Sequence, residues 1–435
     1  MFPNEVSYYL FLILILIALS MLKSHNAQLI VILASSYIFY IISNNYLVVS
    51  LMFISVLTFY GGYFIYIKDN KELYLGMALL GSLGQLCLFK YSGLLAPLGI
   101  SYFTFMGLSY VFDIYRGKMK PADSWLEYAL FISFFPVITS GPIIRARDFL
   151  IQLKSKIEIR SDNLQQGLTL IGMGLIMKLV IADNLSIYLD PAFSEPTNHG
   201  SRAIIFAALA FGIQLYCDFA GYSDIALGSA RLFGFRFPMN FNNPYLALNP
   251  ADFWHRWNIS LSTFLRDYVY ISLGGNRKGM LRTHINLIIT MVLCGLWHGA
   301  TWNFLIWGGY HGILLSLHRL IRFPNNRATT IAGMILTQYL VFLGWLFFKV
   351  NDLDDLIYCL GKFIMPTGFE VTDFVIGAVI VSMLLVFRNR LSDNDLVAYL
   401  GSVKGGYWFI YIMITILVIY FFSPIKVTKF IYAGF

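Results

Sequence analysis

Charge is what this sequence has least of. Only 12% of its 435 residues are Asp, Glu, Lys or Arg, against about a quarter in a water-soluble domain. So few charges cannot cover the surface of a soluble fold, which excludes a water-exposed globular domain as the organising unit. Cysteine is scarce as well. Cys87, Cys217, Cys294 and Cys359 lie scattered in apolar runs. No pair has metal-ligand spacing and no disulfide framework is readable, so they read as small buried hydrophobes. There is no P-loop, no GxSxG elbow, no Ser–His–Asp order and no CxxC. The Gly-rich pieces do not follow a strand and open a helix, which excludes a dinucleotide fingerprint. Internal repeats and long soluble inserts are absent too.

What is present is apolar: 58% of residues are hydrophobic and 17% aromatic, with a mean hydropathy of +0.68. A helix needs about 20 apolar residues to cross a bilayer. Candidate spans lie near 6–22, 28–43, 46–67, 74–91, 96–115, 125–140, 164–182, 202–220, 285–300, 302–320, 331–349, 371–387 and 407–423. The expected fold is an all-α polytopic membrane protein with about 10–12 crossings, the remaining pieces being short or re-entrant. The first run, Tyr8 to Leu22, lacks a basic region before it and a small-residue cleavage site after it, so it reads as a retained helix. The net charge of +8 comes from short loops: Lys23, Lys68 with Lys71, Arg116 with Lys118 and Lys120, Arg145 through Arg160, and Arg388 with Arg390. Cytoplasmic loops collect Lys and Arg, so orientation explains the excess and no nucleic-acid partner is needed. Loops 116–120 and 145–160 are assigned to the cytoplasmic side on this ground.

Two segments, 133–149 and 218–245, carry polar and helix-breaking residues at membrane depth. Lipid tolerates backbone breaks only where they are buried in protein or line a wet cavity. Asp218, Asp224 and Arg231 stand there in a Gly-rich, apolar context. Intramembrane charges read first as functional. The alternative is a structural ion pair, since Asp224 and Arg231 lie two helical turns apart.

The stretch from Asn249 to Gly312 concentrates the chemistry-bearing residues. His255, His298 and His311 fall here, with Trp254 and Trp257, then Trp297 and Trp302, beside them. Asn249 as N-cap, Pro250 at N1 and Asp252 at N3 start a helix. Trp257, Leu261, Phe264 and Tyr268 recur on one face of it, and Asn258, Ser262 and Arg266 on another. The spacing predicts one amphipathic helix running to Gly274–Gly275–Asn276. His298 follows an apolar run, where an imidazole needs partners and a purpose. Its ordinary pKa suits it to move protons near neutral pH. His311 reads equally as a packing residue, and His255 as one reaching the interface beside Arg256. A transporter reading would use Asp218, Asp224 and Arg231 without a reaction, but it predicts paired broken helices in two halves, and none is found.

Several ordered motifs resemble the bacterial branch of the membrane-bound O-acyltransferase family: LAPLGISYFTFMGLSYVFDIYRG (95–117), SFFPVITSGPIIR (133–145), MKLVIADNL (177–185), GYSDIALGSARLFGFRFPMNFNNPYLA (221–247), DFWHRWNISLSTFLRDYVYISLGG (252–275), LWHGATWNFLIWGGYHG (296–312) and LGWLFFKVNDLDD (343–355). The resemblance implies one integral-membrane acyltransferase domain over 1–435. Its family-like core spans about 90–355, with peripheral helices at 1–90 and 356–435. It also implies a funnel of many helices crossed by a tunnel, and a catalytic histidine in the WHG motif, here His298. This chain departs from the family at its second site. Where the branch usually reads RRWHIS it reads HRWNIS, with Asn258 at the usual histidine and His255 at a usual basic position. An amide cannot be a general base, so Asn258 is expected to orient or to hydrogen-bond a carbonyl.

The expected activity is transfer of an acyl group, first of all acetyl from acetyl-CoA, for O-acetylation of an exported glycan. D-alanyl transfer from a carrier protein toward teichoic acid is the nearest alternative. A base is needed for the hydroxyl proton, and donors for the developing oxyanion. His298 and Asn258 are the catalytic candidates. Trp297, Trp254, His255, Arg256, Asp224 and His311 are the substrate-binding candidates, with Arg256, Arg145 and Arg231 available to grip phosphate. No metal and no resident cofactor are expected. The partners expected are the lipid bilayer, a cytoplasmic acyl-CoA or acyl carrier protein, and a separate extracytoplasmic transferase. The location expected is a bacterial inner membrane.

Overall fold

A computed structural model describes residues 2–321, 326–368, 402–403 and 405–424. The span expected at 371–387 and the basic pair Arg388 and Arg390 lie outside the described residues. Those described form helices and connecting loops, with no strand among them. This is the solution lipid demands, because a helix satisfies its own backbone. Among the described residues, eight helices are long and apolar enough to cross a membrane, against the 10–12 crossings expected of the whole sequence, and shorter apolar helices lie at Val6–Met21 and Trp125–Ile138. The chain is an all-α polytopic membrane protein, and it divides into two compact units.

The first unit comprises Met1–Leu175, Gly221–Met239 and Leu400–Ile416. It begins with α1 (Val6–Met21), α2 (His25–Asn44), α3 (Val48–Ile67), α4 (Lys71–Tyr91) and α5 (Ile100–Tyr115). The span expected at 125–140 is broken. α6 (Trp125–Ser133) stops where Phe134 leaves the helical conformation (ψ 103°), a one-turn α7 (Phe135–Ile138) follows, and α8 (Ala146–Leu153) begins after a buried loop. The break survives because aromatic rings wall it off: Phe134 at the break itself, Phe149 of α8 and Phe235 meet with centroids 5.0–5.3 Å apart. α9 (Ser161–Leu175) packs closely on the later part of α11 (Ser201–Leu232). A Cβ on Gly167 would fall 2.7 Å from the Gly228 carbonyl oxygen, and one on Gly174 would fall 2.5 Å from that of Gly221. Small residues at matching seven-residue spacing let two backbones touch without a hydrophobic driving force.

The second unit comprises Ile176–Ala220, Asn240–Tyr399 and Leu417–Phe435. It opens with a π-helical segment, Ile176–Ala182, and α10 (Asp183–Ser194). No backbone break occurs at Asp218; α11 runs unbroken to Leu232, and irregular chain begins only after it. The reason is a cation the sequence reading did not pair with Asp218. Lys178 is fully buried, and its Nζ lies 2.7 Å from both Asp183 and Asp218. Arg231, in the first unit, donates to the Gln166 side chain, not to Asp224. α12 (Pro250–Arg256), α13 (Ile259–Phe264), α14 (Met280–His298), α15 (Trp302–Leu320), α16 (Arg327–Lys349) and α17 (Leu353–Ile364) complete the unit's numbered helices. α14 and α15 form a tight hairpin along a glycine seam. A Cβ on Gly295 would collide with the Phe304 carbonyl, one on Gly308 with the Met291 carbonyl, and one on Gly312 would lie 2.7 Å from the Ile288 Cα. This seam fixes the height of His298 against α15.

Candidate functional site

The helix start at Asn249 forms as its residues dictate. The Asn249 side chain accepts the Asp252 amide at 2.9 Å, and the Asp252 carboxylate accepts the Leu248 amide at 2.9 Å. The single long amphipathic helix does not form. α12 ends at an extended Trp257, Asn258 takes a left-handed conformation (φ 40°, ψ 59°), and α13 starts at Ile259. Asn tolerates this region better than most side chains. Asn240 locks the corner: its carbonyl accepts the Ile259 amide at 2.8 Å, and its side-chain oxygen accepts the Ser260 amide at 3.1 Å. The chain then continues through a π-helical turn, Leu265–Tyr270. Both segments still bury the face expected, for Trp257, Leu261, Phe264 and Tyr268 are each at most 5% exposed.

Asn258 is thus a buried amide on a bend, and its backbone role can be separated from its side-chain role. Asn258→Gly is expected to keep the bend and the thermal midpoint, whereas Asn258→Ala pays roughly 1–2 kcal/mol for a left-handed alanine. If the amide serves the reaction, both variants lose turnover although only the alanine loses stability. A glycine variant with full turnover would confine Asn258 to shaping the bend.

His298 is the last residue of α14 and is 3% exposed. Rings enclose it: Trp297 at 4.6 Å, Phe348 at 5.0 Å, Trp307 at 5.2 Å and Phe304 at 5.8 Å between centroids. Trp307 continues the cluster to His311 at 4.9 Å, and Trp254 lies 5.2 Å from His311 and 5.8 Å from Trp307. The structure therefore brings four expected site residues together: Trp254, Trp297, His298 and His311. Asn258 is tied in through its neighbour, since Trp257 packs on Trp345 at 4.9 Å, and Trp345 lies 6.3 Å from Trp307. The indole N–H groups of Trp254 and Trp307 and the Nε2 of His311 are buried without a hydrogen-bond partner. Buried polar groups are satisfied as a rule, so three such atoms on touching rings mark a place that can receive a polar ligand.

The other candidates divide. His255 is exposed, and with Trp254 it lines a cavity of about 300 Å³ between α12, α13, the Leu265–Tyr270 turn, α14 and α15. Arg256 is engaged locally, its Nε 2.8 Å from Asp252 and its Nη1 3.3 Å from the Asn242 carbonyl. Asp224 is buried in the first unit, as is Arg145. The sequence reading missed Phe304, Trp307, Trp345 and Phe348. Their one signal is aromatic residues at 3–4 residue steps in 304–307 and 345–348, which also fits plain packing.

An imidazole enclosed by rings is shielded from water and suited to act as a general base. A probable alginate O-acetylase of Azotobacter vinelandii is 42% identical over 270 residues, covering 61% of this chain and 53% of the relative. A peptidoglycan O-acetyltransferase of Helicobacter pylori is 33% identical over 372 residues, covering 74% and 69%. A teichoic acid D-alanyltransferase of Bacillus subtilis is 31% identical over 273 residues, covering 59% and 69%. The chain spans about half the length of the alginate O-acetylases it matches. The family description matched, membrane-bound O-acyltransferase, covers residues 120–351, more than half of the chain and all of the ring cluster around His298. The chain belongs to the membrane-bound O-acyltransferase family.

Proposed function

We propose that the chain transfers an acetyl group from acetyl-CoA toward a hydroxyl of a cell-surface polysaccharide or peptidoglycan. The observation that carries this reading is His298, buried at the end of α14 inside a cage of four rings. His298 takes the proton of the acceptor hydroxyl, borne by the glycan or by the partner transferase that relays the group to it, and the freed oxygen attacks the thioester carbonyl. The tetrahedral intermediate collapses with cleavage of the C–S bond, and the proton passes to the departing thiolate. Trp254 and Trp307 offer N–H donors for the oxyanion, and Asn258 offers its amide. The acetylase names of two relatives support acetyl as the group moved. A bacterial inner membrane is the location that fits, with a separate extracytoplasmic transferase to place the group on its glycan.

D-alanyl transfer is the second reading, favoured by the Bacillus subtilis relative. The two separate in one assay. Purified chain in proteoliposomes receives acetyl-CoA, or a D-alanyl-charged carrier protein, with alginate or peptidoglycan fragments present, and thiol release is followed. Release from acetyl-CoA above protein-free liposomes supports the first reading, and release from the carrier alone supports the second. Both donors left intact with an extracytoplasmic partner transferase also supplied would remove the transfer reading and favour a transporter.

A further inference from the structure

The α14–α15 seam changes character at the end away from His298. Three close approaches set its register: Gly295 meets Phe304, Gly308 meets Met291, and Gly312 meets Ile288. Four residues further along each helix, about 6 Å at the helical rise, the same register places His284 opposite Ser316. Both are polar and neither is satisfied. The two ring nitrogens of His284 and the Ser316 hydroxyl are buried without a hydrogen-bond partner. Ser316 is only 8% exposed. It leaves unmade the bond to the carbonyl four residues back that Thr283 and Thr290 both make on α14. Buried polar groups are satisfied as a rule, because leaving one unpaired is costly. Three such atoms across one seam mark a place for a ligand. Neither residue lines the cavity beside Trp254.

The surroundings select the ligand's charge and shape. The sequence has no carboxylate between Asp267 and Asp352, while Lys278, Arg282 and Arg319 stand exposed at this end of the hairpin. Arg319 follows Ser316 by three residues on α15 and also borders the cavity beside Trp254. An imidazole N–H, a hydroxyl and a guanidinium all donate, so one anion satisfies them together. The outer flanks of the seam are apolar and exposed, with Leu281 and Ile285 on α14 and Ile313 and Leu317 on α15. In a bilayer these flanks face acyl chains. We propose that His284, Ser316 and Arg319 hold the phosphate of an anionic phospholipid whose chains lie along Leu281, Ile285, Ile313 and Leu317. A neutral imidazole donates from one nitrogen and accepts at the other, so a hydroxylated headgroup, as in phosphatidylglycerol, satisfies the second ring nitrogen. Rotation about side-chain bonds turns both groups to the outer side of the seam, and neither helix has to move. The lipid closes one end of the hairpin that carries His298 at the other. This inference stands independently of the acyl-transfer reading.

The test is lipid binding by the delipidated full chain in detergent, read as the rise of its thermal midpoint with lipid concentration. The probes are dioctanoyl-phosphatidylglycerol, dioctanoyl-phosphatidylcholine and glycerol 3-phosphate. The wild type is expected to bind the phosphatidylglycerol about tenfold or more tightly than the phosphatidylcholine, as a charge-assisted phosphate contact requires, and to ignore glycerol 3-phosphate at the same concentrations. H284L/S316A should lose that preference. Its lipid-free midpoint should hold or rise, because replacing both polar groups by apolar ones leaves nothing buried and unpaired. R319Q, which leaves the two polar groups in place, should lower the preference by itself. A lipid-free midpoint that falls in H284L/S316A would give the two residues to the fold and overturn the proposal. So would a preference unchanged in either variant, or one absent from the wild type. An equal response to glycerol 3-phosphate would make this a site for a free phosphate, and likewise overturn the assignment to a lipid.

Discussion

Replacing His298 with glutamine is expected to lower acyl transfer by roughly 10²–10⁴-fold, the usual contribution of a positioned general base. Glutamine is the informative choice because it fills the ring cage nearly as well as imidazole. Alanine would open a cavity between Trp297, Phe304, Trp307 and Phe348, and a folding defect would then mix with a chemical one. The check is turnover together with the thermal midpoint in detergent: the midpoint should hold while turnover collapses. Turnover within tenfold of wild type would take His298 out of the chemistry and shift the base to His255 or His311, of which His311 already contacts Trp307.

The largest effect on stability is expected at Lys178. Its ammonium is fully buried and bridges Asp183 and Asp218, which are buried as well. Lys178→Met leaves two buried carboxylates facing each other without their cation. Removing one partner of a buried pair costs about 3–5 kcal/mol, enough to prevent recovery of folded protein. Adding Asp183→Asn and Asp218→Asn to Lys178→Met removes the unpaired charge and should restore most of the loss. Monodispersity and the thermal midpoint in detergent report both results. If the single variant is as stable as wild type, the triad is not what holds the π-helical Ile176–Ala182 segment to α11. If the triple variant folds but turns over slowly, the triad also sets the shape of the site. That route is physical: two residues before Asp218, Tyr216 packs on Trp257 with centroids 6.3 Å apart, and Trp257 precedes Asn258.

Much of this could be read from local pattern. Apolar runs located most of the described helices to within a few residues, because the bilayer sets their length whatever surrounds them; the exceptions are the broken 125–140 span and α11, which runs twelve residues past the expected end. The Asn249–Pro250–Asp252 start formed as expected, since capping is satisfied by neighbours in the chain. The face of Trp257, Leu261, Phe264 and Tyr268 is buried as its period required. The bend between α12 and α13 was not legible. An unbroken 3.6-residue period hides a corner that Asn240 creates from 18 residues upstream. The continuity of α11 through Asp218 was misread for a similar reason, because a charge in an apolar run looks like a break until its counter-ion is known.

By itself, then, the sequence determined the class of protein, the family, and the placing of His298 at the end of an apolar helix. Each follows from composition, period or a contiguous motif. Only the tertiary structure decided what surrounds that histidine. Phe304 and Trp307 come from the next helix and Phe348 from the one after, while Trp254 is joined to them from α12. It also gave Lys178 its two carboxylates and placed Arg266 and Arg319 on one cavity. Those outcomes depend on how close two backbones can come. The glycine seam between α14 and α15 sets that distance, and a glycine in a sequence does not say which neighbour it will admit.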